Sequence, residues 1–239
     1  MSTTRVRAMF RKELREYRRN RVIVITMGLV PLIFLIEPLV QIFNLPAASA
    51  STLLHKHPLL YMLGIPALTP ALMAAASVVG ERQQGTLEPV LTTPIRREEF
   101  ILGKALAVLA PALVVSYVVF GLALASIELF AQAPVASAVI RGPELLAQVL
   151  FTPLVATWSI WVAMAISART TDFRAAQQLS TLASLPSVIV IALISFDVIH
   201  ASLRLALGFG VLLLVLDRLG WRAVAALFDR ERLVTGTRS

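Results

Sequence analysis

The chain carries blocks of about twenty apolar residues with almost no charge inside them, and this restricts its fold more than any other feature. A helix needs roughly 20 apolar residues to cross the hydrocarbon core of a bilayer, where each backbone polar group must find its partner within the protein. Six such blocks can be read, at residues 22–43, 59–80, 105–127, 145–168, about 178–196 and about 198–216. The second to fifth contain no charge; Glu37 interrupts the first and Arg204 lies near the start of the sixth. Only Asp197 separates the last two, which leaves two full crossings or one crossing with a re-entrant piece. Composition agrees: 57% of residues are hydrophobic and 15% charged, against about a quarter charged in soluble domains. The expected fold is all-α and polytopic: an interfacial amphipathic helix at 1–21, a six-helix transmembrane domain at 22–216 with a polar loop at 81–104, and a polar tail at 217–239.

Lysine and arginine set the orientation of such a chain. The leader 1–21, the loop 81–104, the segment 169–177 and the tail after 216 hold nineteen of them; these four segments share one side of a six-span topology. Lys56, Arg141 and Arg204 fall on the other. Both termini are therefore expected in the cytoplasm. The net charge of +8 is read as topology and lipid-headgroup contact rather than nucleic-acid binding. The long basic leader and the length of the apolar block after it argue against a cleaved signal peptide.

In the leader, Val6, Met9, Phe10, Leu14 and Tyr17 recur at helical spacing among six basic residues between Arg7 and Arg19. This predicts a basic helix lying in the interface plane with its apolar stripe in lipid. Trp221, Val224 and Phe228 repeat the pattern weakly in the tail, with Trp221 as an interfacial anchor. Prolines occur in every block but the last, where they free backbone carbonyls that neighbouring helices can satisfy.

The loop 81–104 reads as a short helix between two breaks. Gly85 ends the extension of the second span, Thr86 serves as N-cap, and Glu88 sits in the first turn. Leu87, Val90 and Leu91 form an apolar face, and Thr93-Pro94 starts the helix that becomes the third span. The segment is either a rigid docking knuckle or an ordinary solvated loop.

This stretch resembles the signature of the type-2 ABC transporter permeases, carried here by Glu81, Gly85, Thr86, Leu87, Glu88, Thr93, Pro94, Arg97, Glu99, Gly103 and Lys104. The resemblance implies an exporter membrane subunit in the bacterial plasma membrane. Its short helix would be a coupling helix inserted into a separate ABC ATPase subunit. Leu87, Val90 and Leu91 would pack there, with Glu81, Glu88, Arg82 and Arg97 making polar contacts and Gly85, Thr86 and Pro94 shaping the turns. A second permease half, identical or sister, completes the implied assembly, and ATP and Mg belong to the partner ATPase. Compared with larger relatives, the loop 44–58 and the link between the last two spans are short.

No nucleotide-binding loop is present, because Gly103-Lys104 is followed by Ala105 and preceded by Glu98 in place of glycine. There is no cysteine and no His-Glu-x-x-His; His55, His57 and His200 lack a sequence-local carboxylate set, so no metal site is expected. Glu98-Glu99 reads as a solvated charge pair. Glu37 is the candidate for the substrate pathway, or for pairing with Arg204, because a carboxylate within a span is costly. The rival functions are an ion-coupled secondary transporter, which predicts midplane ionisable groups and a repeat, and a non-transporting scaffold.

Overall fold

A computed structural model of the chain describes residues 2–44, 46, 56–83 and 96–227. Among them lie eight α-helices: α1 (Thr3–Arg19), α2 (Arg21–Phe43), α3 (Gly64–Gln83), α4 (Arg97–Phe130), α5 (Ala133–Val139), α6 (Gly142–Arg169), α7 (Phe173–Ser195) and α8 (Leu203–Leu227). A 3-10 segment, Pro58–Leu63, leads directly into α3. The chain is an all-α polytopic membrane protein. Among the described residues five helices are long and apolar enough to cross a bilayer: α2, the 3-10 segment with α3, α4, α6 and α7. The last described helix, α8, has 25 residues and carries Arg204, Asp217, Arg218 and Arg222.

The helix α3 is the centre of the bundle, 78% buried along its crossing where α2 is 24% buried. Its inner residues are small (Ala67, Ala71, Ala74, Ala75), which lets α6 and α7 approach closely without a hydrophobic driving force between membrane helices. The helix α8 lies beside α6 in parallel register. Phe209 stacks on Phe151, Leu213 packs with Val155, and a side chain on Gly220 would strike Trp161 at 2.7 Å. Val224 is fully buried in the core, and the partly buried Trp221 packs against it, meeting Trp161 edge-on at 5.4 Å. The expected boundary at 216 thus falls inside a helix.

The break between the last two helices has a defined cause. Asp197 adopts φ 59°, Val198 N donates to Leu193 O at 2.9 Å, and Asp197 N donates to Ile194 O at 3.1 Å. This is a Schellman stop, with aspartate in the left-handed position that glycine usually takes. At the other end of the chain one residue separates α1 from α2: Asn20 N donates to Glu16 O and Tyr17 O, while its side chain accepts from Ile23 N.

Proline explains one interhelical bond. Pro153 has no N–H for the carbonyl four residues before it, that of Val149, and the Tyr117 hydroxyl from α4 donates to that oxygen at 3.0 Å. Replacing Tyr117 with phenylalanine should therefore lower the stability of the purified protein in lipid nanodiscs by about 1 kcal/mol, read as a drop in unfolding temperature. The same change at Tyr61, whose ring packs between Phe34 and Phe196, serves as the comparison.

Candidate functional site: the joint around the α3–α4 loop

The segment 84–95 lies outside the described residues, and with it Gly85, Thr86, Leu87, Glu88, Val90, Leu91 and Pro94. The side chains of Glu81, Arg82 and Arg97 lie outside them too; their backbone closes α3 and opens α4. What the structure shows is how the two flanks of this loop are held.

The exit flank is the first two turns of α4. The helix begins at Arg97, with Arg96 as an extended N-cap whose N–H is accepted by Glu99 at 3.1 Å. The expected start at Thr93-Pro94, running without a break into the span, is corrected: the capping exchange with Glu99 places the boundary three residues later. Glu99 is also not solvated. It is 1% exposed, accepts from the Ser2 N–H, and has the Arg5 guanidinium at 3.5 Å, while Glu98 beside it is exposed.

Across this flank lies α1. Its buried residues are Val6, Met9, Glu13 and Tyr17, one face at spacings of three and four. They pack on α4, where Gly103 is the crossing point: a Cβ there would lie 2.7 Å from Met9 Cβ and 3.3 Å from Val6 O. One residue on, Lys104 is 0% exposed and donates to Glu13 Oε1 at 2.9 Å, with its ammonium 5.2 Å from the Phe100 ring centre. Lys12 adds a second, weaker contact to Glu13 at 3.4 Å. The expectation that the apolar stripe of α1 faces lipid is overturned. The stripe contains a carboxylate, and the only low-energy place for a buried Glu13 is against a buried cation.

The entry flank is the last two and a half turns of α3. Here Ser167 of α6 donates to Ala75 O at 2.7 Å and accepts from Val79 N at 3.1 Å. Those two groups are the partners of one rung of the α3 ladder, so the serine hydroxyl engages the helix backbone at the rung itself. A side chain inserted at such a rung is a recognised cause of helix bending.

The remaining candidate sits elsewhere. Glu37 lies half-buried in α2 and accepts from Gln41 one turn on. It does not pair with Arg204, which is exposed at the start of α8, a helix packed chiefly on α6 and away from α2. His57 finds a carboxylate through the fold: its Nδ1 is 3.1 Å from Glu144, 87 residues away, and Arg141 also donates to Glu144. Among the described residues no cluster of three or more metal-binding side chains occurs. Glu13 was missed by sequence reasoning, although a carboxylate inside the apolar stripe of a basic helix was the signal that could have found it.

A bundle of this length and apolarity, with a buried polar joint at one end, defines a polytopic helical membrane protein. A family model of the ABC-2 family transporter proteins matches residues 7–210, and the chain belongs to that family. It is the membrane permease of an ABC transporter, a non-catalytic membrane subunit. Comparison with curated proteins finds no match.

Breaking the joint on one side should release α1. Glu13→Leu or Lys104→Met alone breaks the buried pair on one side, at a cost of about 3–5 kcal/mol. The expected outcome is faster tryptic cleavage within the arginine-rich α1. The double variant should regain much of the resistance, because an apolar pair replaces the ion pair. Gly103→Leu should expose α1 with the ion pair chemically intact.

Proposed function

We propose that this permease works as half of an exporter. The loop between α3 and α4 is gripped by a separate ABC ATPase subunit, and ATP hydrolysis there drives the change of access. The family supplies the class; the coupling reading rests on one observation, that both flanks of the loop are tied into the bundle by buried polar contacts. A solvated loop has no need of a buried Glu13–Lys104 pair at its exit or of Ser167 on the backbone at its entry. Within the loop, Leu87, Val90 and Leu91 form the docking face, with Glu81, Arg82, Glu88 and Arg97 around it.

The basic end of the bundle, which carries α1, is placed in the cytoplasm by its excess of lysine and arginine. In parallel register with α6, α8 becomes the sixth crossing, with its charges toward the two ends. A second copy or a sister permease supplies the other half, and lipid surrounds the exposed faces of α2, α7 and α8. Glu37, half-buried and bonded only through one oxygen to Gln41, stays as a contact for a cationic group on the substrate pathway.

Two measurements test this reading. The chain has no cysteine, so Gln84→Cys is a unique thiol. An impermeant maleimide should label it in inverted vesicles and not in intact cells, and the reverse pattern would place the loop outside and end the proposal. An ABC ATPase subunit should copurify with the wild-type chain and be lost from Leu87→Asp; retention by that variant would remove the docking face.

Ser167→Ala separates docking from coupling. The ATPase subunit should still copurify, while transport in vesicles falls several-fold because the side contact that favours bending at Ala75–Val79 is removed. Unchanged transport would show that the hydroxyl is structural only.

A further inference from the structure

We propose that Glu144, Gln148 and Thr152 of α6 form an internal water-binding site, reaching from the end opposite α1 into the bundle. The three residues are spaced by four, so they share one stripe of the helix and span about 12 Å at 1.5 Å per residue. They are 3%, 1% and 0% exposed. Glu144 Oε2, both polar atoms of the Gln148 carboxamide and Thr152 Oγ1 have no hydrogen-bond partner within the protein. Four orphan polar atoms on one buried stripe are far from the norm, since buried polar groups almost always find protein or water.

Seven other hydroxyls of the bundle show the alternative, although the buried hydroxyls of Thr69 and Ser180 also lack a partner. Those of Ser116, Ser126, Thr157, Ser159, Thr170, Thr181 and Ser184 each donate to the carbonyl four residues before them, the default in an apolar helix. Thr152 does not. Gln148 brings two donors and an acceptor into the core, and an unpartnered amide in a medium without water costs several kcal/mol.

The charge balance selects the ligand. Glu144 is already bonded by Arg141 and lies 3.1 Å from His57 Nδ1, so the upper end of the stripe holds a compensated carboxylate. Neither an anion nor a cation is called for. The open positions are acceptor, acceptor with donors, and hydroxyl, one helical turn apart, which suits water bridging Glu144 to Gln148 and Gln148 to Thr152. Beside this column the 3-10 segment and α7 are joined by one backbone and one side-chain bond: His57 N donates to Ser195 O at 3.1 Å, and Ser195 Oγ donates to His57 O at 2.9 Å. The waters are thus enclosed where the 3-10 segment, α6 and α7 meet. This site stands apart from the direction of transport and from the ATPase partner.

The test compares Gln148→Met, Thr152→Val and the double variant by thermal unfolding in nanodiscs. A shared water predicts that each single change lowers the unfolding temperature by a few degrees. The double variant should fall no further than the worse single one, since the same water is lost once. A dry seam predicts the opposite sign, because replacing an unpartnered polar group with an apolar one of similar size stabilises. A raised or unchanged unfolding temperature for Gln148→Met overturns the proposal. Infrared difference spectra in ordinary and oxygen-18 water give a second readout: an isotope-sensitive band of internal water in the wild type should vanish in Gln148→Met and weaken in Thr152→Val. If that variant fails to fold, the Thr152→Val spectrum decides alone, and a spectrum identical to wild type overturns the site.

Discussion

The bond between Glu13 and Lys104 is what the rest of the joint depends on. A lysine with no exposed surface in a membrane protein is tolerable only against an opposite charge, and Glu13 at 2.9 Å is that charge. The pair sets both the rotation and the position of α1. Turning α1 by one residue would move Glu13 off its partner and leave two buried charges in an apolar surround. Gly103 then sets the distance, because only a residue without a side chain lets Met9 and the Val6 carbonyl come so close. Glu99 fixes the first turn of α1 through Ser2 and Arg5. Three residues of the motif after the loop are thus committed to holding one amphipathic helix.

The same rule, that polar groups out of water must be matched, organises the bundle. Tyr117 answers the carbonyl freed by Pro153, and Asn20 closes one helix while opening the next. Ser167 answers α3 from the side. Along Glu144, Gln148 and Thr152 the rule is not met by protein, and the proposed waters would meet it there.

The crossings were legible from sequence because hydrocarbon thickness imposes a length, and the first four blocks agree with their helices to within a few residues at most ends. The largest extension is at α4, which starts eight residues before the expected crossing. The leader was legible as a helix from its periodicity. What covers its apolar face was not, since lipid and another helix present the same solvent to a methionine; only Glu13 distinguishes them, and its partner lies 91 residues away. The last helix was displaced because apolarity fades after Leu216, whereas packing on Trp161 does not. Glu99 looked like its neighbour Glu98, and nothing local tells a buried acid from an exposed one. The pairing of Glu37 with Arg204 failed for the same reason, as similar depth says nothing about which side of a bundle a helix occupies.

The two anchors of the loop differ in kind, and the difference bears on the proposed coupling. The exit is tied by an ion pair, a close helix crossing and a capping exchange, all of which resist displacement together. The entry is tied by the apolar packing of Ala75 and Val79 with Ala176 of α7 and by one hydroxyl, that of Ser167, against one rung of α3, and a hydrogen bond of that sort exchanges at a cost of about 1 kcal/mol. A load applied to the loop would therefore move α4 and α1 as one body and bend α3 near Val79. Because α3 is the buried centre on which α6 and α7 pack, a bend there changes the core of the bundle, whereas the same bend in peripheral α2 would be absorbed by lipid. The stiff side transmits and the yielding side lies where yielding has the largest effect.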